Sequence, residues 1–304
     1  VYGDKIYVKP VDDPTGAIPS WVGEELPVPK EVAEEVGRIR GFVEEGIKQG
    51  ESPLRIAEEL SERYPIDAET ALRAISETVE HVEKGLPTPT DRRIVVESWG
   101  DMVIIHSSFG SLVNRTLGRV LGYLISEDVG FTVGVQQDPY RIMLQTFGEV
   151  GARYVAQALK ELPKMDVKTL ARKAVERTGL FKRRLIHVAR KAGALEKWAN
   201  FSNVSMSKLI SMFEGTAIYE EALKDTFRKD LDVEGTLEVV EGIRSGDVEV
   251  VVLESGDEPS PIARVGIERM SMKMDIIPPE RMKKLLLEST KARILGEFVH
   301  LLCV

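Results

Sequence analysis

The chain has 304 residues, 43% hydrophobic and 30% charged, with a formal net charge of −8. This is enough apolar material for a real core, shared between two subdomains. One cysteine, Cys303, excludes a disulfide framework and a cysteine-built zinc site, as expected of a cytoplasmic protein.

Lys5-Ile6-Tyr7-Val8-Lys9 alternates as a strand should, after a Gly3-Asp4 turn. A hairpin needs a strand before that turn, so the chain reads as a fragment of a longer polypeptide. A loop rich in Pro, Gly and Asp follows, Pro10 to Pro29, and carries Trp21. Helices are predicted from about Pro29, from Ser52-Pro53 (an N-cap with proline at N1) and from Asp67 to His81. Their acidic faces argue against a DNA-reading helix. The Gly85–Thr90 stretch breaks the pattern and separates residues 1–90, a strand, a Trp-bearing loop and a small acidic helical unit, from residues 91–304.

Strands are predicted at Arg93–Glu97 and Met102–His106, joined by a turn at Ser98–Asp101. A helix follows from Leu112 to Ile125, then a strand pair, Phe131–Val135 and Arg141–Leu144. The rest reads as helices over Val150–Leu162, Asp166–Arg177, Arg177–Trp198, Ser205–Phe213, Thr216–Asp230 and Val233–Ser245, then a strand at Asp247–Leu253. Met270, Met272 and Met274 alternate like a strand or irregular edge, and Pro278-Pro279 opens a last helical stretch. The fold class is therefore α+β: predominantly helical with short antiparallel β-strands, a truncated small β-barrel or sheet portion packed on helices.

Charge is unevenly spread. Between Lys160 and Trp198 stand twelve basic side chains against Glu161, Asp166, Glu176 and Glu196. Concentrated positive charge in an acidic protein repels itself unless something negative sits there, and a nucleic-acid backbone fits. A solvated helix face is the plainer reading. Phe181, Leu185, Val188 and Ala189 repeat at helical spacing as one apolar stripe, which leaves Lys182, Arg183 and Arg190 on other faces.

Enzyme motifs are few. There is no glycine-rich phosphate loop ending in Gly-Lys-Ser/Thr, so the chain is not expected to hydrolyse ATP by itself. The histidines His81, His106, His187 and His300 form no metal-ligand spacing, and no apolar run approaches the ~20 residues a membrane span needs. In His106-Ser107-Ser108-Phe109-Gly110 adjacent His and Ser point to opposite strand faces, and no acidic orienter is placed by sequence. Ser107 or Ser108 reads as an N-cap for the following helix. The backbone N–H groups of Ser107–Ser111 offer a phosphate seat instead.

Four motifs occur in order: Pro19-Ser20-Trp21-Val22-Gly23-Glu24-Glu25, Ile104-Ile105-His106-Ser107-Ser108-Phe109-Gly110, Phe181-Lys182-Arg183-Arg184 with Ala189-Arg190-Lys191-Ala192-Gly193, and Pro259-Ser260-Pro261-Ile262-Ala263. Through them nearly the whole chain resembles the C-terminal, post-winged-helix region of the large helicase-related (Lhr) family of superfamily 2 ATP-dependent helicases, archaeal in type. It departs at Ser20, where members often carry a bulky residue, and at Ile262, where they have Phe. The resemblance implies a nucleic-acid-binding accessory domain of a 3′-to-5′ helicase acting on DNA and RNA:DNA hybrids and linked to DNA repair. Its partners would be single-stranded or forked nucleic acid and the RecA-like motor and winged-helix domains of the same polypeptide. ATP and magnesium would be bound by those motor domains.

The candidate nucleic-acid contacts are Trp21, for stacking on a base, and Lys182, Arg183, Arg184, Arg190 and Lys191, for phosphates, with Arg115 and Arg119 extending the track. Trp21 alternatively caps a subdomain core. Two other readings compete with strand guiding. A structural clamp would bury the basic helix against the motor without touching nucleic acid. A hydrolase would use His106 with a nearby carboxylate. Arg183 and Arg184 buried in internal carboxylate pairs would favour the clamp.

Overall fold

A computed structural model of the chain describes residues 26–146, 150–176, 178–196, 206–254 and 258–271. The predicted strand at Lys5–Lys9, the Trp21 loop, Trp198, Met272, Met274 and the stretch after Pro278 lie outside the described residues.

Among the described residues three helices come first: α1 (Lys30–Lys48), α2 (Pro53–Arg63) and α3 (Ala68–Glu83). Their starts are those the sequence marks. The Ser52 hydroxyl accepts from Arg55 N at 3.2 Å, Pro53 follows it, and Asp67 accepts from Thr70 N at 2.8 Å. Val43, Ile56, Leu60, Ala71, Ile75 and Val79 meet in a small core of their own.

Among the described residues the sheet has five strands: β1 (Arg93–Trp99), β2 (Met102–His106), β3 (Gly134–Asp138), β4 (Arg141–Gln145) and β5 (Glu249–Leu253), in the order β3-β4-β2-β1-β5. Three neighbouring pairs are antiparallel, as expected. The β1–β5 pair is parallel, with Val95 opposite Val251. Parallel pairing needs a long crossover, which a local reading of strands does not see.

Among the described residues seven further helices fill the connections: α4 (Ser111–Val129), α5 (Ala152–Glu161), α6 (Val167–Glu176), α7 (Gly179–Lys191), α8 (Met206–Phe213), α9 (Ala217–Asp230) and α10 (Val233–Ser245); α11 (Pro261–Ser271) follows β5. Strand alternation splits the apolar residues into two layers. Ile94, Val96, Val103, Ile105, Ile142 and Leu144 face α4, α5 and α10. Met102, Ile104 and Met143 face the other way, onto Ala263 and Ile267 of α11, with half-buried Trp99 beside them. Covered on both faces, the central strands read as unbroken apolar runs.

Other elements differ from expectation too: α7 ends at Lys191, short of the Trp198 expected. The third strand starts at Gly134, not Phe131. Gly130, at φ 78°, closes α4 by donating to Ser126 O, and Ser126 Oγ accepts from Val133 N at 3.0 Å, so residues 130–133 are spent in the turn. Met270 lies in α11, not in a strand. Pro261 occupies the first position of α11, where its missing N–H loses nothing. α4 sits very close to the sheet: a Cβ on Gly122 would lie 2.4 Å from Val135 Cγ2.

Candidate nucleic-acid interface

α7 starts where the Thr178 hydroxyl accepts from Phe181 N at 3.2 Å and ends before Gly193, at φ 73°. Phe181, Leu185, Val188 and Ala189 are buried, the stripe read from spacing. They join Val175, Leu209, Phe213, Tyr219 and Leu223 in a second core, where the rings of Phe181 and Tyr219 meet edge to face at 5.2 Å. Burying one face fixes the other. Arg183, His187, Arg190 and Lys191, spaced one and two turns apart, stand exposed on the opposite side. α7 contains no acidic residue, and Arg183 and Lys191 make no ion pair among the described residues. His187 is thus an exposed helix-face residue, as its position predicts.

The flanks of the stripe differ. Lys182 is half-buried. Arg184 on the other side donates to Asp230 Oδ2 at 2.5 Å and lies 4.0 Å from Asp225 Oδ2. Of the two arginines whose pairing would favour the clamp, then, one is engaged and the other stands in solvent. Much of the neighbouring basic charge is neutralised internally: Arg172 by Glu176 and Glu220, Lys168 by Glu234, Lys164 by Glu161.

Arg115 and Arg119 lie one turn apart on α4. Arg115 donates to the main-chain oxygen of Asp230 at 3.3 Å. Arg119 is half-buried and its Nε is sealed from solvent without an acceptor. Burial, and then the charge of Arg115, push its pKa down, with Asp230 opposing. The structure therefore divides the described candidates. Arg183, Arg190 and Lys191 share the open face of α7, while Arg115, Arg119 and Arg184 gather at the end of α9.

The Ser107–Gly110 segment does something other than expected. α4 is capped by Gly110, at φ 86°, and takes no side-chain cap. A Cβ at Gly110 would lie 2.8 Å from Val28 O, because residues 26–29 cross the helix start. The N–H groups of Ser107, Gly110 and Ser111 already donate to the carbonyls of Tyr140, Pro139 and Val28. The phosphate seat expected there is filled by the chain itself. Ser107 Oγ donates to Asn114 Oδ1 at 2.9 Å, and Arg40 donates to Ser108 Oγ at 3.3 Å. Burial and the charge of Arg141 push the Arg40 pKa down to about 10.

His106 does have a carboxylate, which sequence alone did not place. Its Nε2 donates to Glu97 Oε1 at 2.7 Å, and Ser260 donates to the same carboxylate from its hydroxyl, at 2.9 Å, and its backbone N–H. The order is wrong for activating a nucleophile: the carboxylate, not the imidazole, lies between the other two. All three are buried. Burial acts to raise the Glu97 pKa, but the hydrogen bonds from His106 and Ser260 outweigh it and hold the carboxyl below its ordinary value. The network ties β1, β2 and the start of α11 together. Its sequence signal was a Glu and a His nine positions apart in a buried hairpin; Ser260, 163 residues away from Glu97, had none.

Among the described residues no group of three or more His, Cys, Asp or Glu is placed to hold a metal, and no helix is long and apolar enough to cross a membrane. Residues 88–263 match the family described as DEAD/H associated. Over 86% of the chain the sequence is 26% identical to the ATP-dependent helicase Lhr-Core of Saccharolobus solfataricus, covering 32% of that protein. Over 95% of the chain it is 27% identical to Lhr-Core of Methanocaldococcus jannaschii, covering 34%. The chain thus spans about a third of the length of these relatives. The structure of Mycobacterium smegmatis helicase Lhr bound to ssDNA and AMP-PNP shares the fold, with a TM-score of 0.62 and 19% identity over 82% of this chain and 33% of that one.

Proposed function

The chain belongs to the DEAD/H associated family, and from that premise we propose that it is a nucleic-acid-binding accessory region of an ATP-dependent 3′-to-5′ helicase, guiding the single strand that the motor tracks. In this reading it works in the cytoplasm, in DNA repair, beside RecA-like motor and winged-helix domains that bind ATP and magnesium. The observation that carries it is the exposed face of α7, where Arg183 and Lys191 stand in solvent beside His187 and Arg190 on a helix without acid, in a chain of net charge −8. Such a face holds backbone phosphates without reading sequence. The similarity to Lhr-Core helicases, and the ssDNA in the Mycobacterium smegmatis structure, support the choice of ligand. Lys182 flanks this face, Trp21 would supply a stacking surface, and Arg115, Arg119 and Arg184 would extend the track.

The test is fluorescence anisotropy of a labelled single-stranded oligonucleotide. The chain should bind it in a salt-dependent way. Arg183→Ala/Arg190→Ala/Lys191→Ala should weaken binding and make the log–log salt slope shallower by about 2, at about 0.7 per phosphate contact. Trp21→Ala should weaken binding at every salt concentration. Equal binding by the triple variant sinks the assignment to α7. The clamp keeps one observation in its favour, the capture of Arg184 by Asp230 and Asp225; it predicts no binding even at low salt.

A further inference from the structure

We propose that Arg115, Arg119 and Arg184 form one seat for a phosphate diester, and that the Asp230 carboxylate occupies part of it as an internal stand-in. The seat deepens the strand-guiding reading, from which it takes its ligand.

Arg115 and Arg119 project from the same side of α4, one turn apart, and Arg184 reaches in from α7. All three converge on the last residue of α9, two by contact and one by charge. Arg115 takes its main-chain oxygen at 3.3 Å, Arg184 takes its carboxylate, and Arg119 feels its charge without touching it. Asp230 thus engages Arg115 through its main chain and Arg184 through its carboxylate, and its charge reaches Arg119. Asp225, the next carboxylate, stands 4.0 Å from Arg184 and already binds Lys229 at 2.9 Å.

Arg119 is the odd member. Its guanidinium makes no hydrogen bond or ion pair among the described residues, and its Nε is shut away from water. A guanidinium is a fork of five donors that cannot shed its proton, so sealing its Nε–H from water without an acceptor is unfavourable. A second arginine one turn away makes it more so. The arrangement calls for an anion with several oxygens that can meet Arg119 and Arg184 together, and a phosphate diester offers two unbridged ones. Arg115 is positioned by the carbonyl end of α9, where a cation is favoured. To take up a phosphate, Arg184 must exchange one anion for another, so Asp230 restrains binding.

Two ligands test this, a labelled single-stranded oligonucleotide and inorganic pyrophosphate, the second read by thermal shift. Arg119→Gln should bind the strand roughly tenfold more weakly, the worth of a charge-assisted hydrogen bond. Its salt slope should be shallower by about 0.7, and any pyrophosphate stabilisation should be lost. Asp230→Asn should move the other way, with roughly tenfold tighter binding. Its opposite sign separates the effect from simple damage to the fold. If Arg119→Gln binds both ligands as the wild type does, the seat is overturned; strand guiding survives that result provided the α7 triple variant loses the strand. If the wild type binds no strand but pyrophosphate stabilises it through Arg119, the seat stands and strand guiding falls. If the wild type responds to neither ligand, both fall.

Discussion

Glu97 and His106 meet inside the sheet and bind each other, while Arg183 and Lys191 are left in solvent on α7. Both regions concentrate ionisable groups, but the first spends them on holding secondary structure together and the second keeps them available. The difference lies in what surrounds them. Glu97 has His106 and both the hydroxyl and the N–H of Ser260, so a buried carboxylate is tolerated. α7 has no acidic side chain of its own, and Glu234, Glu220 and Asp230 are engaged by Lys168, Arg172 and Arg184. In the sheet the paired charge is structural; on α7 the charge of Arg183 and Lys191 is offered to a partner.

The contrast predicts opposite sensitivities. The largest effect belongs to Glu97→Ala, which strands His106 Nε2–H and the Ser260 donors; urea unfolding should show a loss of about 3 kcal/mol or more. Strand affinity of the folded fraction should be unchanged, and a drop there would blur the division between the two regions.

Acid comes next. His81 is buried beside the same network, its Nε2–H donating to Pro87 O, and burial lowers its pKa from the ordinary 6.5. The folded form then holds fewer protons than the unfolded form below pH 6.5, so stability present above that value is lost as pH falls toward the folded pKa. Glu97, held below its ordinary 4.5, adds a second loss as pH falls through its own lowered value. The urea midpoint should therefore decline below pH 6.5 and again below 4.5. His81→Gln should flatten the upper limb; an unchanged limb would place the acid sensitivity elsewhere.

The smallest effect is expected where the binding effect is largest. Arg183→Ala/Arg190→Ala/Lys191→Ala should shift the urea midpoint by no more than about 0.5 kcal/mol equivalent. A larger loss would mean that the α7 face holds the fold as well.

What could be read in advance follows the range of the interactions. The α7 stripe, the Ser52 and Asp67 caps and the β1–β2 hairpin rest on residues a few positions apart, and all were legible. The outward face of α7 followed as the complement of its stripe. Legibility failed where a distant segment intervened. Residues 26–29 cover the start of α4, which turns a serine N-cap and phosphate seat into a glycine corner. Ser260 completes a network begun at Glu97, and Asp230 draws Arg184, 46 positions away, out of the exposed basic face. Arg184 and Lys191 look alike in sequence; only the return of α9 separates them.

The parallel pairing of β1 with β5 also bears on how the chain assembles. Arg93 and Glu249 are partners across 156 positions, and α4 to α10 lie between them. Closing so long an excursion is slow, so β5 should dock late, after the α7 core has formed. Until then β1 presents an open edge rich in Ile and Val, the kind of edge that recruits strands from other chains. A polypeptide ended anywhere within the basic helices would keep that edge exposed. Aggregation, more than loss of the missing helices themselves, would be the first symptom of such a truncation.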